Sequence, residues 1–166
     1  MRFVVMMGSV ALILMLSWQS ALAQNTQGDT DFQVSGQPSA AQLSEFAKQG
    51  GQAVVNLRGA DEPLPFNEAA LANELGVSYY AIPIANANDL TLSKVKLFDQ
   101  VIGKLQPEQT LLHCASGNRV GAMMALRAGW LQHKSADEAL QIGRQHGLKS
   151  LADTVAELLQ EYPHGR

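Results

Sequence analysis

Leu111-Leu112-His113-Cys114-Ala115-Ser116-Gly117-Asn118-Arg119-Val120-Gly121 reads as a strand ending on a cysteine, a tight turn of small and polar residues, and a helix opening at an arginine. Thr110 to His113 has the length and apolarity of a short buried strand. Beyond Arg119 the chain becomes an apolar helix rich in Ala and Met. In so tight a turn, successive backbone N–H groups converge into an anion-binding nest, and the helix N-terminus adds unpaired donors and its positive dipole end. Arg119 supplies a planar fork that matches a tetrahedral oxyanion. The same field favours the thiolate of Cys114, which makes it a nucleophile. Gly117 gives backbone freedom, Ala115 and Ser116 leave room for an anion, and the Ser116 hydroxyl can donate to a thiolate or a leaving group. The plainer reading is a buried cysteine beside a turn, with Arg119 on a solvated face. It does not account for the coincidence of thiol, nest and guanidinium at one strand–helix junction.

Working outward, strand and helix signals alternate. Phe32 to Val34 predicts a short strand, closed by Ser35-Gly36-Gln37-Pro38, and Ser39 can cap a helix reaching about Gln49 before Gly50-Gly51. Ala53 to Leu57 is an apolar run of strand length, and Val77 to Ile84 is β-branched and aromatic, with a helix over about Asn67 to Leu75 between them. Val95, Phe98, Val101, Ile102 and Leu105 keep helical spacing over Ser93 to Leu105. Ser135-Ala136-Asp137-Glu138 has the form of a capping box, and Ser150 is placed to cap a last amphipathic helix. This alternation predicts an α/β domain over 31–166, with a mostly parallel sheet of about four or five strands and helices on both faces. Ligands of such sheets sit at the C-terminal ends of strands, where Cys114 falls.

Met1–Arg2, the apolar stretch Phe3 to Trp18 and Ala21-Leu22-Ala23 have the three parts of a cleaved signal peptide. The expectation is a signal peptide over 1–23, a flexible linker over 24–30, and a periplasmic or secreted mature chain without stable membrane insertion. The 166 residues are 46% hydrophobic and 16% charged with a net charge of −3, which excludes a disordered chain and argues against a nucleic-acid partner. A single cysteine excludes an intrachain disulfide and any multi-cysteine metal site. No metal or organic cofactor is implied. His133, His146 and His164 lack metal-ligand spacing and read as surface residues, whereas Met123, Met124 and Trp130 read as core.

The His113-Cys114 pair with its downstream arginine resembles the cysteine-dependent protein phosphatases, especially the small dual-specificity-like ones, whose signature is His-Cys, five residues, then Arg. Val34-Ser35-Gly36-Gln37-Pro38, Val55-Asn56-Leu57-Arg58 and Gly76-Val77-Ser78-Tyr79-Tyr80-Ala81-Ile82-Pro83-Ile84 resemble segments of a bacterial phosphatase-like group often named after a β-lactamase-hydrolase-like domain. The resemblance implies a phosphatase fold and hydrolysis of a phosphorylated substrate. Cys114 would be the nucleophile, Arg119 the oxyanion ligand, and His113, Ala115, Ser116, Gly117 and Asn118 the binding loop. Asn86-Ala87-Asn88-Asp89 resembles the general-acid loop, which makes Asp89 the candidate acid and Asp61 the reserve. Arg58 either adds charge to the pocket or pairs with Asp61 or Glu62.

Two departures keep alternatives open. Only four residues separate Cys114 from Arg119, a spacing typical of rhodanese-like sulfurtransferases, in which the cysteine carries a persulfide. Val120 stands where phosphatases usually place Ser or Thr. A sulfurtransferase and a non-catalytic oxyanion-binding module therefore remain beside the phosphatase reading.

Overall fold

The computed structural model describes residues 32–165, so the expected signal peptide and linker lie outside the described residues. Four strands form one fully parallel sheet: β1 (Gln33–Ser35), β2 (Ala53–Asn56), β3 (Ser78–Ala81) and β4 (Thr110–His113), in the order β1-β4-β2-β3. Parallel neighbours need crossovers, and the helices supply them. Between the strands run α1 (Ala40–Lys48), α2 (Glu68–Glu74) and α3 (Leu92–Ile102). After β4 come α4 (Asn118–Trp130), α5 (Ala136–Gln145) and α6 (Ala152–Glu161). The α/β architecture with helices on both faces is thus as the alternation predicts.

The two-residue pleat sorts the core. Val54 and Leu111 face α1 and α2, where they meet Leu43, Phe46 and Ala72. Val55, Leu57 and Leu112 face the other way, into a larger core containing Val95, Phe98, Met123, Leu126 and Trp130 from α3 and α4. Each such buried side chain contributes roughly 1.5–3 kcal/mol from water exclusion alone. Helix starts follow the polar signals. Ser39 Oγ accepts from Gln42 N while Gln42 returns a bond to Ser39 N, and Ser135 and Glu138 repeat the device.

Two local expectations are corrected. The last helix is not capped by Ser150. Its N-cap is Leu151, and the Ser150 hydroxyl instead accepts from Asn118 Nδ2 at 2.8 Å. His146 is buried rather than on the surface, with Nδ1 2.9 Å from the Ile142 carbonyl.

Helix α4 lies at the centre of the helical layer, buried along nearly its whole length. Its approach to α5 depends on Gly121, where an added Cβ would stand 2.1 Å from Leu148 N and 2.6 Å from Gly143 O. Those are backbone atoms that cannot swing aside. Gly121→Ala is expected to cost about 1–3 kcal/mol by overpacking, read as a lowered urea midpoint at unchanged slope.

Candidate active site

Strand β4 delivers Cys114 to the C-terminal edge of the sheet, between the ends of β1 and β2. The thiol is fully buried, and its Sγ accepts from Gly117 N at 3.1 Å. Gly117 makes this closure with φ +84°, a left-handed conformation that L side chains rarely adopt, and it is also the N-cap of α4. The four-residue spacing thereby becomes a tight ring folded over the sulfur. Ala115 and Ser116 are exposed on its outer side. The end of β1 braces the ring from behind: Gly36 bridges to Ser116, and Gln37 N donates to Ala115 O at 3.2 Å. A Cβ on Gly36 would meet Ala115 O at 2.8 Å, so this contact requires glycine.

Arg119, in the first turn of α4, reaches back across the strand ends. Its Nη1 donates to Ile84 O at 2.7 Å and to Glu62 Oε1, and its Nη2 donates to Glu62 Oε2 at 3.0 Å. Glu62, in the loop after β2, also accepts from Gly59 N at 2.8 Å and Arg58 Nε at 3.1 Å. The Arg119 bond, the Gly59 amide and the nearby charges together outweigh desolvation and hold the Glu62 carboxyl down to about 2, from an ordinary 4.5. The Glu62 bond, followed by the Glu62 charge and the adjacent Cys114, pushes the Arg119 guanidinium further up, against its own desolvation. Both stay charged across any working pH.

A cleft of about 270 Å³ opens beside this guanidinium, lined by Ile84, Ala85, Asn86, Leu90, Ser116 and Arg119 among others. The loop carrying Asp89 forms one wall. Asp89 itself is not among the lining residues; its Oδ2 accepts from Ala85 N at 2.8 Å and ties the loop into a short turn over Ala87–Asp89. Asp61, the reserve, is exposed beside Glu62. Asn118 lines the cleft, but its side chain is spent on the 149–151 segment, donating to Ser150 Oγ and accepting from Lys149 N.

His113 does not stand with the other loop residues. Its ring is fully buried on the α1–α2 side of the sheet, with Nδ1 3.3 Å from the Cys114 carbonyl. Nε2 approaches Glu68 Oε1 to 3.1 Å without the alignment of a hydrogen bond. Glu68, wholly buried, accepts on Oε2 from Asn56 Nδ2 and from the Tyr79 hydroxyl, both at 3.3 Å. Burial, more than the adjacent Glu68 charge, pushes the Tyr79 phenol up and keeps it a donor. Sequence reading singled out neither Glu68 nor Glu62 as a site residue. The pleat was the missed signal for the first: if Leu112 faces one core, His113 must face the other, where a buried imidazole needs a partner. For the second, the i,i+4 spacing of Arg58 and Glu62 was readable, the reach to Arg119 was not. Arg58 takes the pairing alternative, with Glu62 rather than Asp61. Among the described residues no cluster of His, Cys, Asp and Glu is arranged to hold a metal, and no helix is long and apolar enough to cross a membrane.

A strand-tip cysteine ringed by a tight loop, with an arginine on the following helix, places this molecule in the phosphatase-like α/β class. Residues 11–159 match the family described as DSP-PTPase phosphatase fused to NAD+ kinase, and the chain belongs to that family. It is 30% identical over 118 residues to the β-lactamase hydrolase-like proteins of two Xylella fastidiosa strains, a match covering 69% of this chain and 27% of those proteins. The chain thus spans only about a quarter of the length of these curated relatives. Two solved structures share the fold. Tk-PTP in its active form has a TM-score of 0.59 at 23% identity, covering 80% of this chain and 95% of that one. A phosphatase-like protein of Neisseria meningitidis has a TM-score of 0.60 at 20% identity, covering 74% and 89%.

The acid side of the stability curve tests the Glu62 assignment. A carboxyl depressed in the folded state contributes stability that is present above its unfolded value, 4.5, and lost as pH falls toward about 2. Glu62→Gln is therefore expected to flatten the loss of unfolding free energy between those two pH values, measured by urea titration at a series of pH. An unchanged slope removes the pair from the site.

Proposed function

We propose that the chain is a cysteine-dependent phosphatase acting on phosphate monoesters. The observation that carries this reading is the convergence of the Gly117 amide and the Arg119 guanidinium on Cys114, with Arg119 also lining the cleft, in a chain of the phosphatase family. In this reading the Cys114 thiolate attacks phosphorus in line, an S–P bond forms, and the P–O bond to the leaving alcohol breaks. Glu62 and Ile84 occupy both Nη1 hydrogens of Arg119 and one Nη2 hydrogen, leaving Nε–H and the other Nη2–H to hold the equatorial oxygens. Loop amides complete the cradle. Asp89 hands its proton to the leaving oxygen; the Ala85 amide fixes Oδ2, leaving Oδ1 to carry that proton. Water then attacks the phosphocysteine, returning a proton to Asp89 and the thiolate to Cys114.

The four-residue ring around Sγ supports a second reading, sulfur transfer through a Cys114 persulfide, in which Asp89 has no part. Phosphate release from an aryl phosphate, with Cys114→Ser as control, separates the two. The expected outcome is turnover that falls to background in the variant. Sulfur transfer from thiosulfate to cyanide without phosphate release would establish the second reading instead. Asp89→Asn is expected to slow hydrolysis of an alkyl phosphate about a hundredfold, while an ester with a good leaving group is slowed far less. Equal rates on the alkyl phosphate would return Asp89 to a purely structural place in its loop.

The signal-like segment supports export as part of the same proposal. N-terminal sequencing of the protein recovered from periplasm or medium is expected to begin at Gln24. An intact Met1 on all of the protein, retained in the cytoplasm, would overturn export.

A further inference from the structure

Ser35-Gly36-Gln37-Pro38 braces the Cys114 loop through its backbone, and its one long side chain, Gln37, has no task in the phosphatase reading. Gln37 holds the oxyanion loop through its backbone, donating to Ala115 O. Its side chain joins the Arg58 guanidinium to Glu68, two groups that Asn56 links only through the Arg58 backbone N–H. The amide oxygen accepts from Arg58 Nη1 at 2.7 Å, and Arg58 in turn donates to Glu62, the carboxylate that holds Arg119. The amide nitrogen donates to Glu68 Oε1 at 3.4 Å, the oxygen that faces His113, and to Pro38 O at 3.2 Å. One neutral side chain thus links the Arg119 support on one flank of Cys114 to the His113 support on the other. Neither charged side chain could take its place: a carboxylate would repel Glu68, and an ammonium or guanidinium would repel Arg58.

We propose that Gln37 is a positioning residue for oxyanion binding, fixing Arg119 and the Cys114 loop relative to each other through Arg58–Glu62 and Glu68–His113. It touches no reacting atom. The proposal rests on the oxyanion-site reading but not on turnover, so its first readout is binding of orthovanadate, with kcat and KM on an aryl phosphate as the second.

Gln37→Met keeps the volume and removes both the amide oxygen and the amide nitrogen. Folded Gln37→Met is expected to bind orthovanadate about tenfold more weakly than wild type, the scale of one charge-assisted hydrogen bond, with kcat reduced and KM little changed. Because Gln37 acts on Arg119 through Glu62, its effect is expected to shrink in a Glu62→Gln background; strictly additive losses would overturn the coupling. A merely structural glutamine would lower the urea midpoint and leave vanadate affinity within twofold of wild type, which sinks the proposal. Should Gln37→Met not fold, Gln37→Asn carries the test. It keeps a neutral amide but, one methylene shorter, cannot span from Arg58 to Glu68, so weakened vanadate binding is again expected, and wild-type affinity again overturns. Weakened vanadate binding in a protein that hydrolyses no phosphate ester would leave Gln37 in place and remove the phosphatase reading. A wild-type protein that binds no orthovanadate would overturn both.

Discussion

The bidentate pair between Arg119 and Glu62 is the interaction on which the geometry of the site depends. It draws to one guanidinium the loop after β2, the first turn of α4 and, through Ile84 O, the segment after β3. Taking a guanidinium partly out of water is costly, and the cost is offset only when its donors are matched by well-placed acceptors. Here carboxylate and carbonyls match the donors on the outer edge of the fork. Cys114 lies next to the same guanidinium. Arg58 shares the same carboxylate, so the Arg58–Glu62–Arg119 cluster carries one net positive charge. That charge lies next to Cys114, and Glu62 sets the orientation of the fork without cancelling it.

The short cysteine-to-arginine spacing acts through backbone geometry. With four intervening residues the turn must reverse quickly, and Gly117 does so by adopting positive φ and directing its N–H at Sγ. The loop cannot relax backward, because Gly36 lies against Ala115 O with no room for a Cβ. Nor can it slide along α4, because Asn118 is fastened to the 149–151 segment by both ends of its amide. A tight ring of this kind gains rigidity and gives up space.

How much of this was legible depended on the range of each signal. Thr110–His113, the cap at Ser39 and the capping box at Ser135 are local and were read to within a residue or so. Cys114 and Arg119 were legible because the loop packs its chemistry into six consecutive residues. Glu62 stands 57 positions from Arg119, and Gln37 stands 31 from Glu68; no local pattern links such pairs before the sheet order is known. The Ser150 error has the same origin: a serine before an amphipathic run is a sound capping signal until a distant Asn118 occupies its hydroxyl.

The pleat explains why the site needs two supports at all. Along β4, Leu112 and Cys114 belong to the core under α3 and α4, while Leu111 faces the core under α1 and α2. A residue between Leu112 and Cys114 must therefore project to the α1–α2 side, and His113 does. Its register partner on β2, Asn56, lies on that same side, and Glu68 at the start of α2 meets both. Burying a carboxylate and an imidazole there costs desolvation that an apolar pair would avoid. What it gains is direction, since each polar contact fixes an angle that apolar packing leaves soft. Cys114 is thus held from one face of the sheet by helix packing and from the other by a hydrogen-bonded cluster. Gln37, just past the end of β1, touches both the cluster and the guanidinium of the arginine support.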